Sequence, residues 1–501
     1  MRPLVFVCCL AIASFLTGQT VATGQPLADF DAYVQQAVAY WEVTGLAVAV
    51  VKDGDVLFAK GYGIRELGNP AKVDEHTLFA IGSTTKAMTA AAIGMLVDEG
   101  KLDWDDPVTD HLQKFRLYDP FVTREITIRD LLTHRAGLPN ADFLWYGQES
   151  EADDILFRMR YVEPETSLRS SFTYQNIMYA AAGAVVTELS GMSWDAFIQK
   201  RIFEPLEMNG SIATAATLDA QPNVASPHYR VDGATRVIEN ASVDAVAPAG
   251  SVWSSVSDMA QWMRFLLEGK TRDGTELLSK ETLEELFTPQ TMVDSEEFYP
   301  TQAVTKPHWM TYGLGWFQQD YDGRAVDFHT GSIDGMVAIH GLIRDERLGV
   351  YVLGNLDHAE IRHALMYEVF DRFGEGSHRD WNVVLKDLYD GRRREAERRQ
   401  SEAKKTRVLG TAPTLALERY TGTYADELYG TVWISVDGDG LSLFYGPGLK
   451  GELEHWHYDL FRVHFDAAWR GSTLVSFELD RKGEVVRLSM GGASFARRAK
   501  K

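Results

Sequence analysis

Phe79-Ala80-Ile81-Gly82-Ser83-Thr84-Thr85-Lys86 is the stretch on which the fold turns. An apolar lead-in stops at a glycine. The text from Ser83 to Glu99 then predicts one helix, with small Ala87, Ala90, Ala91 and Ala92 suited to a buried position. Ser83 falls in its first turn, where free backbone N–H groups and the helix dipole favour developing negative charge. Lys86, three residues on, shares that helix face. If buried, its ammonium loses proton affinity, and the neutral amine can accept the Ser83 proton. Ser83 is thereby a candidate nucleophile and Lys86 its base. The four-letter pattern alone is weak, since Ser401-Glu402-Ala403-Lys404 also fits it in a stretch of mixed charge.

Outward from this helix, the pattern switches between periods. Upstream, apolar residues at helical spacing run from Leu27 to Trp41, and Leu46 to Val51 reads as a strand. Asp53-Gly54 marks a hairpin turn into a return strand, Val56 to Ala59. Downstream the chain is helix-rich: Thr127 to Thr133, Ala181 to Ser190, and Met259 to Leu267 capped by Ser257-Asp258. Strands return at Ala325–His329, Met336–Ile343 and Gly349–Leu353, followed by a helix from Glu360 to Phe373. This order predicts an α+β fold: one antiparallel sheet built from both ends of the domain and flanked by helices, with a helical lobe inserted between. Residues 25–380 form that domain, and 381–412 form a charged linker in which Lys386 to Arg407 reads as a solvated helix. Residues 413–501 read as a small all-β barrel, with strands at Gly422–Tyr424, Thr431–Val436, Leu441–Tyr445, Tyr458–Phe465 and Leu474–Leu479.

Two further pieces carry chemistry. Tyr174-Gln175-Asn176 lies between a loop and an apolar helix. A phenol near a lysine can relay a proton, and an amide can hold a substrate amide; a capping Asn beside a core Tyr is the plainer alternative. His329-Thr330-Gly331-Ser332 ends a strand, with Gly331 permitting close backbone approach to a substrate. The N–H of Ser332 is a candidate partner to the N–H of Ser83 in an oxyanion hole; an ordinary strand end with a surface His is the alternative.

Ser-x-x-Lys, then Tyr-x-Asn, then His-Thr-Gly, in that order and on those elements, resembles the serine β-lactamase and penicillin-binding-protein superfamily. The similar branch contains class C β-lactamases, D-aminopeptidases, D-specific carboxypeptidases and carboxylesterases. Gly100–Pro107, Ile126–His134 and Tyr312-Gly313-Leu314-Gly315-Trp316 agree with it, and the tail resembles a lipocalin-like accessory domain. The resemblance implies a serine acyl-enzyme at Ser83, with Lys86 and Tyr174 sharing base and acid duty, His329 as the third member, and Asn176, Gly331 and Ser332 facing substrate. It implies no metal or other cofactor. His329 stands where β-lactamases and carboxypeptidases usually carry Lys. A His of ordinary pKa, ~6.5, is mostly neutral at pH 7 and gives a weak anchor for a substrate carboxylate. Esters, or amides and peptides of the D-aminopeptidase kind, are therefore expected ahead of β-lactams or DD-carboxypeptidase substrates. A catalytically inactive binding or scaffold protein would lack one of the three motifs, and acyl transfer to an alcohol or amine would use the same residues.

Composition narrows the partners. The chain has 501 residues, 45% of them apolar, and a formal net charge of −21, which disfavours nucleic acid and anionic membranes. Arg2, the apolar run Leu4–Leu16 and small residues near Ala22-Thr23-Gly24 read as a signal peptide over 1–24. The run is too short for a membrane anchor, so a secreted or periplasmic product is expected. Cleavage removes Cys8 and Cys9, the only two cysteines. No Gly-x-Ser-x-Gly elbow or phosphate-binding glycine loop occurs. His455, His457 and His464 could pair on a metal, but an open zinc site needs a third ligand, and a structural role is expected. A small-molecule substrate is the expected partner, and a homo-oligomer is left open.

Overall fold

The computed structural model describes residues 26–375 and 379–499; the signal-peptide reading, with Cys8 and Cys9, lies outside them. The sheet is organised about strand β1 (Gly45–Lys52), which is buried on both faces. Its side chains alternate between two cores. Ala47, Ala49 and Val51 join the helical lobe, while Leu46, Val48 and Val50 face helix α1 (Phe30–Trp41) and helix α5 (Ile361–Phe373). Asp53 and Gly54, both at positive φ, turn the chain into β2 (Asp55–Gly63), longer than the sequence pattern predicts. On its other edge β1 pairs with β8 (Leu348–Gly354), the last strand of the domain.

Eight antiparallel strands result. They lie in the order β2-β1-β8-β7-β6-β5-β4-β3, with β3 Thr291–Met292, β4 Met310–Tyr312, β5 Phe317–Tyr321, β6 Arg324–Ile333 and β7 Met336–Ile343. The two ends of the domain thus pair in one antiparallel sheet, as the sequence order predicts. The short edge strands β3, β4 and β5 are not predicted; they lack the length that makes alternation legible. In β6 the sequence places a strand end at His329, but pairing with β7 continues through Ile333, so His329–Ser332 lies within the strand.

The inserted lobe contains α2 (Lys86–Asp98), α3 (Asn176–Ser190) and α4 (Val256–Glu268). Residues Lys86 to Leu96 are buried throughout, as expected of a helix apolar on all sides. The cap of α4 is Ser255, whose hydroxyl accepts from Asp258 N, two residues before the predicted cap. Helix α6 (Trp381–Lys404) starts before the stretch read as solvated, and its first turns pack on the domain. Trp381 and Leu385 are buried, Trp381 Nε1 donates to Asp371, and Asn382 accepts from Trp41. Its C-terminal half is mostly solvated, and there Glu395 pairs with Arg398 and Arg399.

The tail closes into an eight-stranded barrel: β9 (Gly422–Asp426), β10 (Gly430–Asp437), β11 (Gly440–Phe444), β12 (Lys450–His457), β13 (Leu460–Phe465), β14 (Ser472–Leu479), β15 (Val485–Met490) and β16 (Ala493–Arg497). Tyr420, Tyr424, Phe461, Phe477 and Phe495 fill its interior, as suits a barrel of this strand number. Five of these strands follow the sequence pattern; β12, β15 and β16 are additions that complete closure. Among the described residues, no helix is long and apolar enough to cross a membrane.

Candidate active site

Ser83 is delivered by a short strand, Phe79–Ala80, that pairs with Trp253–Ser254. Gly82, at φ +53, then bends the chain into a 3-10 turn, Gly82–Thr85, before the α-helix begins at Lys86. The predicted single helix is therefore two geometries. The tighter turn matters, because positions i and i+3 eclipse in a 3-10 helix. Lys86 Nζ consequently donates to Ser83 Oγ at 3.1 Å. It also donates to Asn176 Oδ1 (2.7 Å) and to Ala249 O (2.9 Å).

Lys86 is fully buried, and desolvation lowers its pKa to about 7, with the Asp142 carboxylate pulling the other way. Asp142 is itself pushed up by burial, against hydrogen bonds from Asn176 and Trp145. Tyr174 presents its ring 4.8 Å from Lys86 Nζ. Burial drives its phenol well above the ordinary value, opposed by a hydrogen bond with Ser83. The phenol is thus protonated at neutral pH.

His329 is buried rather than superficial. Its Nδ1 donates to Thr330 O (2.6 Å), leaving Nε2 to accept from Tyr312 OH (3.1 Å). Both ring nitrogens are occupied, so it makes no hydrogen bond to Ser83, Lys86 or Tyr174. Burial and the nearby Lys86 charge lower its pKa to about 3, and the ring is neutral.

Gly331 and Gly82 bring two backbones together. A Cβ on Gly331 would lie 1.8 Å from Ile81 O and 3.1 Å from Ser83 N, and one on Gly82 would lie 2.6 Å from Ser332 N. The N–H groups of Ser83 and Ser332 are thereby neighbours across this contact, and Ser332 is exposed. Behind the strand, Arg362 donates to Gly331 O (2.6 Å), Ser332 Oγ (2.9 Å) and Ala338 O (3.2 Å). Its other donors reach Glu360.

Ser83, Lys86, Tyr174, Asn176, Gly331 and Ser332 therefore converge, with His329 one layer behind. The sequence pattern does not single out Asp142 or Arg362, which lie in text without local signature. His134 and Tyr312 lie in segments that carry the family resemblance, with no separate role legible there. His134 Nδ1 accepts from Gln175 N (3.0 Å), and the ring lies 4.3 Å from that of Tyr174. In the barrel, His455 Nε2 bonds Tyr458 O, His457 Nδ1 accepts from Val408 N, and His464 Nε2 bonds Glu454. Each of these histidines has its own protein partner.

Known proteins are similar to this chain in sequence and fold. A family model described as Beta-lactamase covers residues 30–370, and one described as a domain of unknown function, DUF3471, covers residues 406–501. The unguisins hydrolase ungD′ of Aspergillus campestris is 29% identical, over 83% of this chain and 79% of its own length. Protein flp of Staphylococcus aureus is 24% identical, over 65% of this chain and 62% of its own. Among solved structures, the octameric penicillin-binding protein homologue from Pyrococcus abyssi superposes with TM-score 0.61 at 22% identity, covering 94% of this chain and 100% of that one. SurE follows with TM-score 0.57, also at 22% identity, covering 93% and 98%. With the family model spanning 30–370 and the fold shared along nearly the whole chain, the protein belongs to the beta-lactamase family of serine hydrolases and carries a C-terminal β-barrel.

Proposed function

We propose that the protein hydrolyses small esters, or amides and peptides of the D-aminopeptidase kind, through an acyl-enzyme on Ser83. The observation that carries this reading is the buried Lys86 Nζ, 3.1 Å from Ser83 Oγ and with a pKa near 7. As the neutral amine, Lys86 takes the Ser83 proton while Oγ forms its bond to the substrate carbonyl carbon. The oxyanion lies between the N–H groups of Ser83 and Ser332; losing one such donor typically costs about 2.7–4 kcal/mol of transition-state stabilisation. Tyr174 gives its proton to the leaving group as the carbonyl re-forms, and Lys86 returns one to Tyr174. Water then attacks the acyl carbon by the reverse route and releases the acid.

Substrate preference follows from charge. His329 is neutral where related enzymes usually place a lysine, and every donor group of Arg362 is committed to Glu360 or to strand oxygens. Neither offers a free cation to a substrate carboxylate. This supports esters and amine-bearing peptides over β-lactams. The test is a screen of the full chain on p-nitrophenyl esters, D-aminoacyl amides and nitrocefin, beside Ser83→Ala. Loss of both turnover and phosphonate labelling in Ser83→Ala is expected; survival of both, or a kcat/KM on a β-lactam far above that on short esters, would sink the reading. Export follows from the sequence of residues 1–24 and is checked by N-terminal sequencing of the mature protein.

A further inference from the structure

Asp334 lies in the turn between β6 and β7, two residues beyond Ser332. Its carboxylate gathers three donors: Tyr146 OH (2.6 Å), Trp469 Nε1 (3.1 Å) and Arg470 Nη2 (2.9 Å). Trp469 and Arg470 belong to the barrel, in the turn between β13 and β14. The ion pair is largely withdrawn from water, with side-chain exposures of 9% for Arg470 and 10% for Asp334. The Arg470 guanidinium also covers the Tyr146 ring at 4.3 Å.

Tyr146 belongs to the loop that begins at Asp142, and the barrel grips that loop elsewhere too. Phe143 packs edge-on against Tyr429, and Gly448 N donates to Gly147 O at 3.2 Å. Asp142 in turn accepts from Trp145 Nε1 (2.9 Å) and from Asn176 Nδ2 (3.0 Å). Those bonds fix the Asn176 amide so that its oxygen faces Lys86.

We propose that the barrel is a positioning clamp for the catalytic lysine: Trp469 and Arg470 hold Asp334 and Tyr146, and through the loop of residues 142–147 they set where Asp142 and Asn176 stand against Lys86. The inference rests on the acyl-enzyme reading above. The groups facing Lys86 are Ser83, the phenols of Tyr174 and Tyr179, Asn176, Ala249 O, the Asp142 carboxylate, and the neutral imidazoles of His134 and His329. Among these, Asp142 and Asn176 are the ones reached through the loop that the barrel grips. Loosening that loop admits water to Lys86. Burial is the largest cause of the lowered proton affinity, so the affinity rises; the weakened attraction of Asp142 works the other way and is smaller.

The test uses the full-length protein with Tyr146→Phe, which removes one oxygen, and with Arg470→Ala and Arg470→Lys. Ester kcat is expected to fall about tenfold in Arg470→Ala, with KM nearly unchanged. The acid limb of its pH profile should move up by about half a unit. Tyr146→Phe should move both in the same direction by less, and Arg470→Lys should recover part of the loss. Wild-type kcat and an unmoved acid limb in folded Tyr146→Phe and Arg470→Ala would overturn the clamp. An active Ser83→Ala would instead overturn the acyl-enzyme reading, so the two failures are distinguishable.

Discussion

At Ser83 the proposed chemistry depends on one lysine that has lost its water. Three acceptors surround the Lys86 ammonium, and burial outweighs the attraction of the Asp142 carboxylate and brings its pKa to about 7. In the proposed mechanism the competent form is the neutral amine, so kcat/KM should fall as the pH drops below about 7, with one proton taken up on the acid side. His329, near 3, adds no second step between pH 5 and 8. Lys86→Gln should lower kcat by about 10²–10⁴-fold and flatten that acid limb, measured as the pH dependence of ester hydrolysis. Residue identity was legible from sequence here because an i, i+3 pair needs only a local helix to meet. Asp142 was not legible. It reaches Asn176 across a loop, and only the folded chain brings the two together.

Among the elements, the short helix after Thr127 shows how the lobe supports the site. Thr127 and Asp130 form a reciprocal capping box, and Asp130 is fully buried while accepting from Arg135 and Arg169. Four residues on, His134 lies beneath Tyr174 and receives the N–H of Gln175. Burial raises the Asp130 pKa, but hydrogen bonds from Arg169, Thr127 N and Arg135 outweigh it and hold the carboxyl below its ordinary value. A depressed folded-state pKa stabilises the protein above about pH 4 and loses that contribution as pH falls through the folded value. Asp130→Ala strands the arginines and should cost about 3 kcal/mol in urea unfolding at pH 7. The difference from wild type should shrink near pH 3. The sequence indicates this helix from its start signal, whereas the edge strands β3, β4 and β5 are too short for their period to stand out.

Across the whole molecule, the barrel is fastened at its base as well as at the cleft. Arg407 follows helix α6 and donates to Trp456 O, His455 O and Glu454, with its guanidinium 4.5 Å from the Trp456 ring. Arg407→Ala should leave kcat unchanged and weaken the barrel by about 1–3 kcal/mol, read as an earlier tryptophan-fluorescence transition in denaturant. Independence of the two readouts is expected because this contact lies on the barrel's own strand β12, not on the loop of residues 142–147.

By itself the sequence determined which segments carry Ser83, Lys86, Tyr174 and His329 and in what order, the sheet built from the two ends of its domain, and a separate all-β tail. Local periodicity and turn chemistry encode those features, and each is legible within a dozen residues. Tertiary structure alone decided that the first turn is 3-10, that Lys86 is dry, that His329 stands behind the strand, and that the barrel reaches Asp334. Burial and long-range hydrogen bonds arise between segments far apart in the chain, and no local pattern carries them.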